Sequence, residues 1–300
     1  MTAPHPFTGR DILCALVVVL VWGTNFVVMK IGLQTLSPMM LGALRFAFAS
    51  LPFLIFVRRP SVPWRLVVFY GLAQGVGQFG FLFTAIHLGM PAGMASLVLQ
   101  TQAFFTLLLA AGFLGETARK HHWLGLIVAA TGLTLIASAS GQGPAAMTMI
   151  GFVLTLCSAF MWALSNLIVR AASRAAPGYD PLAFIIWSSA VSILPFLGAA
   201  IAIDGLDVSV ASVVNMSVTT LVSVMYLALF ATLLGYSLWT RLLMRHAAGR
   251  VAPLSLLVPV VGLTTAWWVF DEHLLLLQWV GAAIVLLGLM VNQLGGRFTR

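Results

Sequence analysis

Charged residues are scarce in this chain, and acidic residues are the scarcest of them. Only 7% of the 300 residues are Asp, Glu, Lys or Arg, whereas about 25% is usual in soluble domains. Seven acidic residues stand against fifteen basic ones, which leaves a formal net charge of +8. So few charges could not cover a globule of 32.1 kDa with groups that face water. This scarcity excludes a soluble enzyme, a disordered chain and a nucleic-acid-binding domain.

Cysteine is also rare, and the nucleotide-binding motifs are missing. The two cysteines, Cys14 and Cys157, lie inside apolar runs and form no CxxC pair. A disulfide framework or a zinc site is therefore not expected, and no cofactor or metal is predicted. The chain has no GxxxxGK[ST] segment, which excludes ATP-driven pumping by this chain. The GxGxxG match at 75–80 lies inside an apolar run with no strand before it, so it predicts close helix packing instead.

Long apolar runs are what the sequence has in abundance. Hydrophobic residues make up 61% of the chain, and a helix needs about 20 of them to cross a bilayer. The first run has no cleavage site after it, so it predicts a retained helix and not a signal peptide. The runs predict an all-α integral membrane protein with ten transmembrane helices, at roughly 12–31, 39–57, 64–86, 92–114, 121–139, 149–170, 181–203, 218–240, 250–270 and 275–294.

The basic residues predict an orientation for these helices. If the N-terminus lies in the cytoplasm, thirteen of the fifteen basic residues fall in cytoplasmic segments, as the positive-inside rule requires. Lys30 falls on the opposite side, and Arg45 lies inside the second span. One missed or false helix would scramble this distribution. The expected protein therefore crosses the membrane many times and keeps both termini in the cytoplasm.

The second half of the chain repeats the first. The run WGTNFVVMK at 22–30 returns as WALSNLIVR at 162–170, and from the third span onward the offset is 156. Five spans are an odd number, so the second half enters the membrane from the opposite side. We therefore predict two inverted repeats, 1–143 and 144–300, around a central cavity. The matched pairs at the offset of 156 are Tyr70 and Tyr226, Glu116 and Glu272, Trp123 and Trp279, Gly125 and Gly281, and Gly132 and Gly288.

These repeated segments resemble the drug/metabolite transporter superfamily, and within it the EamA-domain exporters. The resemblance implies a bacterial inner-membrane carrier that exports amino acids or related small metabolites from a cavity between two EamA repeats. Exporters of cysteine and O-acetylserine are the most similar, and exporters of aromatic amino acids follow closely. The segments that carry the resemblance are 21–30, 44–46, 89–106, 115–116 and 250–262.

Polar side chains inside the spans are the candidates for a binding site, because such groups in a bilayer usually face the interior of the bundle. Gln74 and Gln78 are four residues apart and share one helix face. Amides and hydroxyls with aromatic walls suit a small zwitterion or polar solute. Each residue could equally serve as an interhelical hydrogen-bonding group, which is the better interpretation for Gln102 and Tyr236. The predicted substrate-binding residues are Trp22, Asn25, Gln74, Gln78, Gln100, Trp162, Asn166, Tyr226 and Ser255.

Arg45 is the only charged residue well inside a predicted span. It lies about seven residues, or roughly 10 Å, from the outer end of its helix, so its side chain could extend outward. It could bind a carboxylate or form an outer gate, or it could make a structural contact with helix-terminal carbonyls. No acidic residue lies inside a span, which argues against cationic drugs as the main substrates.

Three functions fit a protein of this kind to different degrees. A secondary carrier working by alternating access fits best, with a small solute and the lipid bilayer as its partners and a monomer as the expected state. A passive channel would favour a continuous polar face along several helices, but the polar residues here are sparse and central. A membrane-embedded enzyme would need clustered reactive groups at membrane depth. The cluster 271–273 lies on an outer loop, where Glu272 is interpreted as a structural cap.

Overall fold

The computed structural model describes residues 8–114, 119–142, 146–246 and 251–298, and within these ranges it contains helices and no strands. Nine helices of the described part are long and apolar enough to cross a membrane, and Pro38–Leu54, with 17 residues, is a shorter apolar helix. A further short helix spans Leu206–Val214. The other helices are α1 (Gly9–Gly32), α2 (Pro38–Leu54), α3 (Trp64–His87), α4 (Ala92–Phe113), α5 (Lys120–Ser138), α6 (Met149–Ala175), α7 (Pro181–Asp204), α8 (Val218–Leu242), α9 (Pro253–Phe270) and α10 (Leu276–Gly295).

Short polar side chains define where several helices begin. Thr8 and Asp11 form a reciprocal capping box at the start of α1. The hydroxyls of Ser37 and Thr148 accept the backbone N–H groups three residues later in α2 and α6. These caps satisfy backbone donors that a helix start would otherwise leave unpaired. The helix starts consequently lie within a few residues of the predicted ones.

The structure differs from the prediction in three main places. The helix predicted at 149–170 continues to Ala175. The span predicted at 39–57 ends as a helix at Leu54, after which the amides of Phe56 and Val57 both bond to the carbonyl of Phe53 in a tight turn. The helix Leu206–Val214 was not predicted, because nine residues are too short to cross a bilayer. It begins after Gly205, whose φ of 88° breaks the continuation of α7.

The outer surface of the bundle is apolar, and the mostly apolar interior contains a set of buried polar side chains. Several large apolar side chains are largely exposed on the outer surface, such as Ile55 at 83%, Trp268 at 80% and Leu276 at 80%. Gln74 and Gln78, in contrast, are buried. Large apolar side chains exposed over the outer surface, together with amides buried inside, fit a bundle surrounded by lipid.

The most extensive helix pair, α5 and α10, packs through glycines. A β-carbon added to Gly125 would lie 2.6 Å from the carbonyl oxygen of Gly288, and one added to Gly132 would lie 2.6 Å from that of Gly281. The two helices therefore run antiparallel at close range. The pair α2 and α7 is also antiparallel, because Gly42 lies against Phe196 while Trp187 donates to the carbonyl of Val57 at 3.2 Å.

Glu272 closes one end of the bundle at the start of α4. Its carboxylate accepts the backbone N–H groups of Ala92 and Gly93, both at 3.0 Å, and pairs with Lys30 Nζ at 2.7 Å. The interpretation of Glu272 as a structural cap is thus confirmed. Its repeat partner, Glu116, lies outside the described residues.

Candidate functional site

Four aromatic side chains meet at the centre of the bundle. The rings of Trp22 in α1 and Trp162 in α6 stand edge to face with their centroids 6.3 Å apart. The ring centroids of Tyr236 and Trp239, both in α8, lie 5.0 Å and 5.6 Å from that of Trp22. Trp22 is held in place by a hydrogen bond from its indole N–H to the carbonyl oxygen of Ala231 at 3.1 Å. The tryptophans at matching positions of the two repeats therefore lie beside each other.

A network of amides and hydroxyls adjoins these rings. The side-chain amide N–H of Gln74 donates to the Tyr236 hydroxyl at 2.5 Å and to the side-chain carbonyl of Gln78. The carbonyl of Gln74 accepts a hydrogen bond from Ser165 in α6. Gln74 thus connects α3 with α6 and α8. We call the seven residues of the two groups the central cluster: Trp22, Gln74, Gln78, Trp162, Ser165, Tyr236 and Trp239.

The helices around the central cluster are irregular at matching positions of the two repeats. A π-helical segment, Gly71–Phe79, interrupts α3, and another, Tyr226–Leu234, interrupts α8. Short 3₁₀ segments occur likewise in α4 (Leu99–Thr101) and at the start of α9 (Ala252–Leu256). Such segments leave backbone groups with altered partners and are frequent at functional sites.

A very small cavity of about 10 Å³, with room for about one water molecule, adjoins the central cluster. Gln74, Ser192, Thr232 and Tyr236 supply polar groups to its wall, and aromatic rings such as Phe79 supply the apolar part. This volume is far below the roughly 300–1,000 Å³ of sites for small-molecule ligands. In this structure the helices are closed around the cluster, so a solute could enter only if they moved apart.

Arg45 lies at the edge of this cavity and does not extend outward. Its side chain is only 1% exposed. Its Nε–H donates to the Thr232 hydroxyl at 3.0 Å, and its guanidinium carbon lies 3.8 Å from the centre of the Phe79 ring. The observed Nε partner is a side-chain hydroxyl and not a helix-terminal carbonyl.

The other predicted residues lie in separate interhelical contacts. Asn166 donates to Gln102 at 2.9 Å and to Thr106 at 3.1 Å, which joins α6 to α4. The Tyr226 hydroxyl lies 2.5 Å from that of Thr24 and donates to the carbonyl of Val21 at 3.1 Å, which joins α8 to α1.

Gln100 and Ser255 meet where the two 3₁₀ segments cross. The amide of Gln100 donates to the backbone carbonyl of Ser255 at 2.8 Å. Asn25 is buried one turn beyond Trp22, where its amide N–H contacts the Met29 sulfur at 3.8 Å and its carbonyl oxygen has no hydrogen-bond partner. Of the nine predicted binding residues, Trp22, Gln74, Gln78 and Trp162 lie in the central cluster.

Several residues of the site were not predicted as binding residues. Tyr236 was interpreted as structural, and Ser165, Thr232 and Trp239 were not singled out. Ser165 directly precedes Asn166 in the repeated run at 162–170, so its place in that run was the available signal. Within the described residues, no group of three His, Cys, Asp or Glu side chains could hold a metal ion.

Replacing Gln74 with leucine is expected to lower the free energy of unfolding by about 1–3 kcal/mol, because the change removes the buried hydrogen bonds of Gln74 to Gln78, Tyr236 and Ser165. The midpoint of thermal unfolding in detergent measures this loss. Gln142→Leu is the matched control, because Gln142 is exposed and makes one long bond to Ser138 at 3.4 Å. An equal midpoint for both variants would contradict the role given to Gln74.

The apolar surface, the buried polar centre and the membrane-length helices define a multi-pass helical membrane protein. Within this class, the chain belongs to the EamA-like transporter family, which matches residues 10–138 and 149–293. The first matched segment spans nearly all of α1 to α5, and the second spans nearly all of α6 to α10.

Curated relatives and a solved structure resemble the chain along nearly its whole length. It is 44% identical over 291 residues to proteins named "Probable amino-acid metabolite efflux pump" from Escherichia coli (strain K12) and Salmonella typhimurium, covering 97% of this chain and 97% of each relative. A crystal structure with 17% sequence identity matches with a TM-score of 0.64, covering 97% of this chain and 99% of that chain. At this identity the structural match concerns the fold alone.

Proposed function

We propose that this protein exports amino acids or related small metabolites across the bacterial inner membrane as a secondary carrier that works by alternating access. The observation that carries the proposal is the central cluster, in which repeat-related Trp22 and Trp162 meet beside a buried amide network and a small cavity. Substrate sites of carriers with repeated halves lie near the midplane between those halves. The names of the 44% identical relatives support amino-acid-related substrates.

The carrier consists of ten transmembrane helices in two inverted repeats, 1–143 and 144–300, with both termini in the cytoplasm. The antiparallel packing of α5 on α10 supports this topology, since helices related by an axis in the membrane plane must run in opposite directions. The repeat relates Gly125 to Gly281 and Gly132 to Gly288. It therefore relates the contact between Gly125 and Gly288 to the contact between Gly281 and Gly132, and both contacts are present. The distribution of basic residues supports the orientation.

The substrate binds against the central cluster, with Trp22, Gln74, Gln78 and Trp162 in direct contact. Tryptophan rings offer apolar walls and a face for an ammonium group, and the amides offer hydrogen-bond donors and acceptors. Asn25 adds a buried carbonyl oxygen without a partner. Gln100, Asn166, Tyr226 and Ser255 act at the helix crossings that must rearrange when the carrier changes between its two states.

Counterflow in proteoliposomes tests this function. Vesicles that contain the purified chain are loaded with one unlabelled amino acid, and uptake of the labelled form is timed. The panel is cysteine, O-acetylserine, threonine, methionine, phenylalanine and tryptophan. We expect saturable uptake for some members of the panel. Trp162→Ala should lower this uptake at least about tenfold, or about 1.4 kcal/mol, because it removes one of the two tryptophan rings proposed to contact the solute.

Trp268→Ala is the control for this experiment, because Trp268 is 80% exposed on the outer surface and should tolerate the change. Flux that does not saturate would indicate a channel, and covalent change of the solute would indicate an enzyme. If the correctly inserted protein exchanges no member of the panel, the amino-acid proposal is wrong.

A further inference from the structure

Arg45 is a buried cation whose hydrogen-bonding capacity is not used up by the protein. Its side chain is 1% exposed, and its Nη1 has no hydrogen-bond partner. Among the residues that the structure describes, no acidic side chain lies within ion-pair distance of it. The charge is instead surrounded by the ring faces of Phe46, Phe79 and Phe83, with Phe79 the closest at 3.8 Å.

A buried charge without an anionic partner lowers the stability of the folded protein. A buried cation normally has an anionic partner, because removal from water penalises it by several kcal/mol. Aromatic ring faces recover only part of this, about 2 kcal/mol for a desolvated pair. A guanidinium is also the side chain best shaped to donate two parallel hydrogen bonds to a carboxylate.

The position of Arg45 connects it to the proposed binding site. Thr232 and Phe79, which Arg45 contacts directly, both line the cavity beside the central cluster. Thr232 also donates to the carbonyl of Leu227 inside the π-helical segment of α8, which orients its oxygen as an acceptor for Arg45 Nε–H. Tyr236, which shares the cavity wall, follows Thr232 by four residues in the same helix.

We infer that Arg45 binds the carboxylate of the transported solute and makes the site selective for carboxylates over cations. The inference rests on the proposed function, and it specifies the substrate class. One buried positive charge lies directly behind the cavity wall, and none of the residues that line the cavity is acidic. A carboxylate should therefore be required for tight binding, whereas an amino group should be tolerated without being required.

Competition in the counterflow assay tests this inference. The probe is the panel amino acid that the wild-type protein exchanges fastest. Its competitors are its carboxamide, which keeps only the ammonium group, and its deaminated acid, which keeps only the carboxylate. We expect the deaminated acid to compete at least about tenfold, and up to about a hundredfold, better than the carboxamide, which is the range for a hydrogen bond to a charged group.

Substitutions of Arg45 then assign this preference to one side chain. Arg45→Gln keeps a polar side chain of similar length without the charge, so the preference for the deaminated acid should fall to about onefold. Arg45→Lys keeps the charge but not the paired donors, so it should restore part of the preference. Arg59→Gln removes an exposed cation that lies over the Trp64 ring and should leave the preference unchanged.

The outcomes separate this inference from the proposed function. If no amino acid of the panel exchanges, both are wrong. If amino acids exchange but the carboxamide competes as well as the deaminated acid in the wild-type protein, only the role of Arg45 is overturned, whether or not the variants fold. An undiminished preference in folded Arg45→Gln overturns it as well.

Discussion

Replacing Glu272 with glutamine is expected to open the end of the bundle at which α4 begins. The carboxylate pairs with Lys30 of α1 and accepts two backbone N–H groups of α4. Glutamine is uncharged and has one acceptor oxygen instead of two, so it can replace only part of these bonds. Removing one partner of a fully buried pair costs roughly 3–5 kcal/mol. Lys30 is 33% exposed, so we expect about 1–3 kcal/mol here. The ratio of closed to open molecules should therefore fall about tenfold to a hundredfold.

A cysteine beneath this contact reports the opening. Ser96 lies one turn into α4 and is 1% exposed, so Ser96→Cys should react slowly with a membrane-impermeant thiol reagent. The two native cysteines are first replaced by alanine. We expect Glu272→Gln to raise the labelling rate about tenfold or more from the side of the membrane on which Glu272 lies.

The neighbouring acid offers a matched control for this experiment. Asp271 is paired with His273 at 2.9 Å, its side chain is 85% exposed, and its φ of 53° is one that asparagine tolerates. Asp271→Asn should leave Ser96→Cys shielded. If Glu272→Gln lowers the thermal stability but Ser96→Cys stays shielded, Glu272 is a static cap and not part of a moving closure.

The helices could be predicted because lipid imposes a strict rule on the sequence. Backbone groups in hydrocarbon must bond within their own segment, so each apolar run of membrane length becomes a helix. The same rule does not distinguish an α-helix from a π-helical segment. An apolar run satisfies this rule in either form, because both bond their backbone groups within the segment. The π-helical segments Gly71–Phe79 and Tyr226–Leu234 could therefore not be predicted.

The π-helical segments affect the two sets of site residues differently. Gln74 and Gln78 both lie inside Gly71–Phe79, and their spacing of four residues still brings them together. Tyr226 and Tyr236 are ten residues apart, and most of the π-helical segment lies between them. The change of pitch alters the direction in which Tyr236 projects, so a helical period counted along α8 could not identify it as the tyrosine at the cavity.

Trp22 and Trp162 could be selected as site residues because they occupy matching positions of the sequence repeat, and their ring centroids do lie 6.3 Å apart. Arg45 could be selected from its charge and depth. Thr232, which accepts the hydrogen bond from Arg45, could not be predicted. The sequence does not show whether a threonine hydroxyl bonds within its own helix or to a neighbouring helix. Many threonines here bond only to their own helix, as Thr84 does with Gly80.

Replacing Gly132 with leucine is expected to separate α5 from α10 and lower the free energy of unfolding by about 3 kcal/mol or more. A β-carbon at this position would lie 2.6 Å from the carbonyl oxygen of Gly281 and 2.8 Å from the amide nitrogen of Val285. Both atoms belong to the backbone of α10, so no side chain can rotate away to make room. The midpoint of thermal unfolding in detergent measures the effect.

Alanine distinguishes this helix contact from the general effect of glycine in a helix. Glycine to alanine stabilises a helix by about 0.5–1 kcal/mol where space is available. Gly198 in α7 has no neighbouring atom within 4 Å of an added β-carbon, so Gly198→Ala should raise the midpoint or leave it unchanged. Gly132→Ala should lower it, because the steric clash exceeds the gain in helix propensity. A rise in both variants would mean that α5 and α10 do not pack at this distance in the membrane.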